Sequence, residues 1–380
     1  MCLACHGHIN MTGPLTGLLV VSIEQAVAAP ACTVRLADAG ARVIKIERES
    51  GDTARHYDRA IHGTSAYFAW LNRGKQSAVL DIKAEGDRAI IEEMVSQADV
   101  FVQNLAPGAA ARLGLGAAEL VARFPRIIAV DIVGYGQDTP ARDMRAYDML
   151  IQAESGLCAV TGTAETPVKV GVSLADVATG MTAHAAVLEA LLERALTGKG
   201  KAIEIAMFDT MADLMSVPLL HHDYAHQNSP RVGLSHAAIY PYGSFDCRDG
   251  QVVAVVQAQH EWVRFCTAVL RRPDLIGDPR FVDNPARVAN RAALDGIIRP
   301  IFAAQTQADM ISILDTADLP WSRVSTVADL SAHPALRRME GQVAGGAFAG
   351  AVSPLRRDLV AGPVPELGQD TDAIRAEFSR

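Results

Sequence analysis

Apolar residues in the first two hundred positions fall into two kinds of run. Short blocks rich in Val and Ile alternate with longer segments of helical period. The blocks predict strands at residues 15–22, 41–47, 77–82, 100–104, 127–133 and 201–207, and the longer segments predict helices at 30–39, 84–98 and 117–124. Strand, helix and strand in repetition imply parallel pairing with right-handed crossovers, so the fold class is α/β, doubly wound. In such sheets ligands bind at the carboxyl ends of the strands.

The texture changes after His221. Residues 228–242 hold Pro, Gly, Ser and two Tyr without any period. A strand at 251–256, a helix at 261–270 and helices within 285–304 and 307–316 then read as a second, smaller α/β unit. From 319 onward come Pro-containing loops, a short helix near 333–339, strands and turns over 341–365, and a charged helix at 371–378.

One stretch, residues 170–200, stands apart. An extended apolar piece runs into Asp176, an Ala/Leu-rich helical run follows, and Gly198, Lys199 and Gly200 stop it. Asp176 thus falls where extended backbone becomes helix, a place that favours negative charge. Two readings fit: an N-cap, or a carboxylate held as a nucleophile.

Composition narrows the choice. The 380 residues are 49% hydrophobic, enough for a sizeable core and long enough for two domains. The net charge of -8 and the lack of a basic patch exclude nucleic acid as the expected partner. No apolar run approaches a membrane span, and no basic-then-apolar leader is seen, so the cytoplasm is the expected compartment. Six scattered cysteines are no disulfide framework. Cys2, Cys5 and His6 match the spacing of c-type haem attachment, but without an export signal a leader ahead of a start at Met11 explains them better. Gly114-Leu-Gly116 lacks a third glycine, and Gly134-Tyr-Gly136 precedes no helix, so the dinucleotide fingerprint of a dehydrogenase is missing. No P-loop, zinc-helix or nucleophile-elbow motif occurs.

Other short stretches, in order, carry more. They are Ala28-Ala-Pro-Ala-Cys-Thr33, Ala41-Arg-Val-Ile-Lys-Ile-Glu-Arg48, Gly51-Asp52, Leu71-Asn-Arg-Gly-Lys75, Leu80-Asp-Ile-Lys83, Ala98-Asp-Val-Phe-Val-Gln-Asn104 and Pro107-Gly-Ala-Ala-Ala-Arg-Leu-Gly114. Gly134-Tyr-Gly136, Ala146-Tyr-Asp148, Leu174-Ala-Asp-Val-Ala-Thr-Gly180, Tyr242-Gly243, Asp249-Gly250, Asp278-Pro-Arg-Phe281 and His333-Pro334 complete the series. Each is weak alone. Together, from residue 12 to 377, the chain resembles the class III coenzyme A transferases of the formyl-CoA transferase type.

The resemblance implies a Rossmann-like large domain built from both chain ends (12–205, with a return over 319–380), a linker helix at 206–225 and a small domain at 226–318. It also implies an obligate homodimer of subunits threaded through each other like linked rings. Asp176 matches the family's catalytic aspartate. It would attack an acyl-CoA carbonyl and pass through a mixed anhydride to an aspartyl-CoA thioester. Coenzyme A and its thioesters are then substrates, with carboxylic acids as partners, and no resident cofactor or metal is expected. Val27, Ala28, Arg48, Leu80, Lys83, Asn104, Arg112, Arg145 and Tyr147 match the family's CoA-contacting segments, with Arg112 and Arg145 the natural phosphate forks.

The chain departs from formyl-CoA transferase in two places. Val27 replaces a glutamine near the reacting carbonyl. A segment running from Gly233 through His236 to Tyr242-Gly243 replaces a glycine-run lid. Members acting on C4–C5 dicarboxylates such as mesaconate or itaconate, with succinyl-CoA as donor, are more similar. His236 would hold the distal carboxylate; a histidine packed under a loop explains it equally well. An α-methylacyl-CoA racemase shares the fold, yet Tyr147 stands where racemases carry a histidine. A CoA-binding protein without turnover is the remaining alternative, and Asp176 argues against it.

Overall fold

The computed structural model describes residues 13–379. The candidate haem spacing at Cys2, Cys5 and His6 lies outside them. The first unit comprises the described residues up to Leu157, Lys169–Val217 and Arg337 onward. Along it run β1 (Leu19–Ile23), α1 (Ala28–Asp38), β2 (Arg42–Glu47), α2 (Ala66–Asn72), β3 (Gln76–Val79), α3 (Glu85–Gln97) and β4 (Val100–Gln103). There follow α4 (Ala109–Arg112), α5 (Ala117–Arg123), β5 (Ile128–Val133), α6 (Asp148–Glu154), α7 (Leu157–Val160, at the edge of the unit), α8 (Leu174–Thr197) and β6 (Lys201–Ala206).

The strands form one parallel sheet in the order β3-β2-β1-β4-β5-β6. This is the doubly wound order, and its direction reverses between β1 and β4. The central strands β1, β4 and β5 are largely apolar on both sides because both faces are covered. Val20, Val43, Val102 and Val130 pack against Cys32 and Leu36 of α1 and Ala183 and Val187 of α8. Val21, Ile44, Phe101 and Ala129 face Ile91 and Met94 of α3, Leu120 of α5, and Ile374 and Phe378 of the last helix. The edge strand β3 is closed by the chain's end: Ser77 N donates to Asp370 and Val79 N to Thr371 Oγ1, both at 2.9 Å. The exposed row of amides that invites edge pairing is thereby used up.

The second unit comprises Cys158–Val168 and Pro218–Leu336. Its antiparallel sheet, β7 (Tyr242–Cys247), β8 (Gly250–Val255) and β9 (Trp321–Arg323), packs Phe245, Val252 and Ala254 onto Trp262, Phe265, Phe302 and Leu314.

Two expectations need correcting. The strand read at 15–22 begins only at Leu19, because residues before it turn back on Gly13 and Leu15 carbonyls. The short helix read at 333–339 is absent. Helix lies earlier, at Val327–Ala332, where Thr326 and Asp329 cap each other, and β10 (Arg338–Val343) pairs with β11 (Gly346–Ala351). The alternating burial of β10, overlooked in the sequence, is the strand signal. Among the described residues no helix is long and apolar enough to cross a membrane.

Candidate active site

Helix α8 starts at Leu174, so Asp176 is its third residue and Ser173 its N-cap. The N-cap reading of Asp176 is therefore wrong. Ser173 makes no side-chain cap either. The work is done from outside by Asp148 at the start of α6, whose Oδ1 accepts from Ala175 N at 2.8 Å and Asp176 N at 3.4 Å. Asp148 is itself held by Gln152 Nε2 at 2.8 Å, and Gln152 Oε1 accepts from Val170 N at 2.8 Å. The buried Gln152 thus fixes both the cap and the segment entering α8.

This arrangement reverses an expectation about charge. A helix start should keep Asp176 ionised. Instead burial, and then the charge of Asp148, push its carboxyl from 3.8 up to about 7. The first-turn amides that could have solvated Asp176 are committed to Asp148. Among the described residues no donor reaches the Asp176 carboxyl. The group is half-buried, near neutrality in its titration, and unencumbered.

Helix α1 lies directly against this turn. A Cβ on Gly180 would stand 2.5 Å from the Ala28 carbonyl oxygen and 2.6 Å from Ala31 Cβ, so only glycine allows the approach. Val177 packs against Val27, Ala31, Val34 and Leu71. Val27 is the N-cap of α1 and is buried, and no side chain caps the helix. The start of α1, with Val27 and Ala28, therefore lies against the first turns of α8, which carry Asp176.

The remaining expected residues distribute as follows. Val27 and Ala28 follow β1, Arg48 follows β2, Leu80 follows β3 and Asn104 follows β4, so all lie at the carboxyl edge of the sheet. Asn104 bridges the reversal point: its Oδ1 accepts from Gln25 N and its Nδ2 donates to Gln25 O, each at 2.9 Å. Arg48 is exposed and spends its Nε on Gly51 O at 3.0 Å. Leu80 is buried, and its amide donates to Glu47 O. Lys83, Arg112 and Arg145 are exposed, and Tyr147, ahead of α6, is 69% exposed. His236 belongs to the second unit. Its ring stacks on Tyr242 at 5.3 Å, and Nδ1 accepts from Ala238 N at 3.1 Å. That bond leaves the ring proton on Nε2, an exposed donor.

The capping role of Asp148 was missed in the sequence, although Ala146-Tyr-Asp148 was singled out. The bond links residues 27 apart, which no local pattern reports.

A carboxylate at a sheet's carboxyl edge, beside an uncapped helix start, suits acyl chemistry. The family model for CoA-transferase family III matches residues 15–371. The chain belongs to that family. Acetyl-CoA:oxalate CoA-transferase of Acetobacter aceti is 34% identical over 97% of this chain and 96% of its own length. Succinyl-CoA:mesaconate CoA-transferase of Haloarcula hispanica is 32% identical over 86% of this chain and 84% of its own. A CAIB/BAIF family protein from Brucella suis, solved by crystallography, superposes with a TM-score of 0.81 at 33% identity, covering 97% of this chain and all of that one. Its likeness extends through the α/β fold with the parallel six-stranded sheet. This chain is a family III CoA-transferase, an enzyme acting on CoA thioesters.

Proposed function

We propose that this CoA-transferase works through Asp176. The carboxylate attacks the thioester carbonyl, the C–S bond breaks, and CoA thiolate leaves a mixed anhydride. The thiolate then attacks the aspartyl carbonyl, releasing the donor acid and leaving an aspartyl-CoA thioester. The acceptor carboxylate attacks that thioester, and the returning thiolate collects the new acyl group and frees Asp176. Anhydride and thioester are similarly reactive, so every step stays nearly balanced. The observation that carries this reading is the unencumbered Asp176 carboxyl beside α1, whose first amides carry no side-chain cap and are suited to a developing oxyanion. Arg112 and Arg145, exposed and with planar forks, serve the CoA phosphates.

The acids we propose are C4–C5 dicarboxylates with succinyl-CoA as donor. His236, presenting Nε2–H, suits a distal carboxylate. The similarity to a succinyl-CoA:mesaconate CoA-transferase supports this, and the similarity to an acetyl-CoA:oxalate CoA-transferase makes acetyl-CoA and oxalate the second reading. A carboxyl near 7 also suits proton shuttling at an α-carbon, the chemistry of a racemase. Tyr147 in place of a histidine base weighs against it.

We further propose a homodimer. On α8, Leu192 and Leu196 are 70% and 90% exposed, an apolar face that needs covering.

The test is incubation with succinyl-CoA and a panel of mono- and dicarboxylates, reading new thioesters by mass. Wild type should yield a new thioester with a C4–C5 acid and a CoA adduct on Asp176. Asp176→Ala should bind CoA and transfer nothing. Turnover by Asp176→Ala would refute the mechanism, and rapid deuterium exchange at the α-carbon of a 2-methylacyl-CoA would favour the racemase.

A further inference from the structure

Gly51-Asp52 and Leu71-Asn-Arg-Gly-Lys75 are two motifs to which the mechanism gives no role. The fold brings them together beneath the start of α1. Asp52 is buried. Its Oδ2 meets Lys45 Nζ at 2.6 Å, and its Oδ1 accepts from Ala54 N and from Ala26 N, both at 2.9 Å. Lys45 lies 3.7 Å from Glu24, which also holds Lys75 at 2.6 Å and accepts from Thr33 Oγ1 at 2.6 Å. Lys75 in turn donates to Asn72 Oδ1 at 3.2 Å. A row of buried ions thus runs under the β1–α1 turn.

The turn itself is strained. Ala26 has φ 62°, the left-handed region an alanine normally avoids. Such residues persist only where their surroundings over-determine them. Here the restraints are the Asn104 bonds to Gln25 on one side and the Asp52 bond to Ala26 on the other. The residue after Ala26 is Val27, the N-cap of α1, so the angle of Ala26 decides where the first amides of α1 point.

We propose that Asp52 is a positioning residue for the transfer reaction: by accepting from the Ala26 amide it holds the strained turn that aims the start of α1 beside Asp176. Lys45 and the ions behind it keep Asp52 in place. The inference rests on the proposed role of Asp176 and of the α1 amides.

Two variants separate positioning from bulk electrostatics. Asp52→Asn combined with Lys45→Gln keeps an acceptor for Ala26 and exchanges the ion pair that holds it for an uncharged amide–amide hydrogen bond. Asp52→Glu keeps the ion pair and moves the acceptor by one methylene. If Asp52 acts through its acceptor, Asp52→Glu should lower kcat by about 10- to 100-fold, the loss expected for a displacement near 1 Å, while KM for the acyl-CoA changes less than about threefold. The Asn/Gln pair should stay within about fivefold of wild type in kcat. Turnover is normalised to CoA-binding sites, so a variant that only folds less well shows no change. An Asp52→Glu variant at least as active per site as the Asn/Gln pair would overturn the inference. The wild-type arm stands separately: if wild type forms no Asp176-borne CoA thioester, the proposed mechanism fails, whatever the Asp52 variants do.

Discussion

Replacing Asp176 by Asn should abolish transfer and, at the same time, stabilise the protein in a pH-dependent way. The carboxyl titrates at about 7 in the fold and near 3.8 when unperturbed. A folded pKa above the unfolded one means that the native state holds a proton the unfolded chain has lost. Between these two values stability therefore falls as pH rises. Below about pH 4 both states are protonated and nothing is lost; above about pH 7 the penalty is complete. A difference of that size corresponds to roughly 4 kcal/mol, and partial exposure of the group reduces what is realised to about half. Asn keeps the shape and never ionises, so it escapes the penalty. The melting temperatures of wild type and Asp176→Asn should differ little at about pH 4.5. The variant should melt higher at about pH 8, by several degrees if about 2 kcal/mol is realised. Thermal scans of the CoA-free protein at both pH values measure this. An equal difference at both, or a lower melting point for the variant at the higher pH, would refute the assignment of a raised Asp176.

Removing only the charge of Asp148 (Asp148→Asn, which keeps an Oδ1 acceptor for Ala175 and Asp176) should lower the apparent pKa of the first half-reaction, read as the pH profile of CoA adduct formation. Asp148→Ala should also lose about 1 kcal/mol or more of stability, because the α8 amides lose their cap. Gly180→Ala places a methyl group 2.5 Å from the Ala28 carbonyl; pushing α1 from α8 should cost about 1–3 kcal/mol and most of the turnover, measured by melting and by kcat. Charging the exposed α8 face (Leu192→Glu with Leu196→Glu) should shift the protein to monomer in analytical ultracentrifugation.

The sheet was legible because its signals are local. Val/Ile blocks and the intervening helical periods marked the strands of the parallel sheet, and Gly198 marked the end of α8, where it takes φ 72°. The start of α8 was not legible. Its cap comes from Asp148, and a sequence pattern sees only neighbours. The edge strand β3 is similar, since its amides are satisfied by Asp370 and Thr371 from the far end of the chain. Asp176 was singled out by motif, but its electrostatics depart from the expectation for the same reason: the rule for helix starts holds only while the first-turn amides remain available.

Under the proposed mechanism, in which Asp176 is the nucleophile, that diversion of amides has a chemical consequence. A carboxylate nucleophile gains reactivity as its basicity rises, and loses it as the ionised fraction falls. With a pKa of about 3.8, Asp176 would be fully ionised at neutral pH but a weak base. At about 7 it is half ionised and far more basic, which is the better compromise near neutrality. The cap from Asp148 achieves this twice over, by occupying the amides that would stabilise the anion and by placing a second negative charge beside it. The same basicity disfavours Asp176 as a leaving group. The aspartyl-CoA thioester is freed from that handicap, because there the leaving group is the thiolate, so the raised pKa weighs chiefly on steps that break the anhydride toward Asp176. Within the anhydride the donor acid, less basic than Asp176, is then the better leaving group, and the returning thiolate is directed to the aspartyl carbonyl. On the proposed mechanism, the electrostatics of one carboxyl would thus bias the enzyme toward its CoA-loaded form.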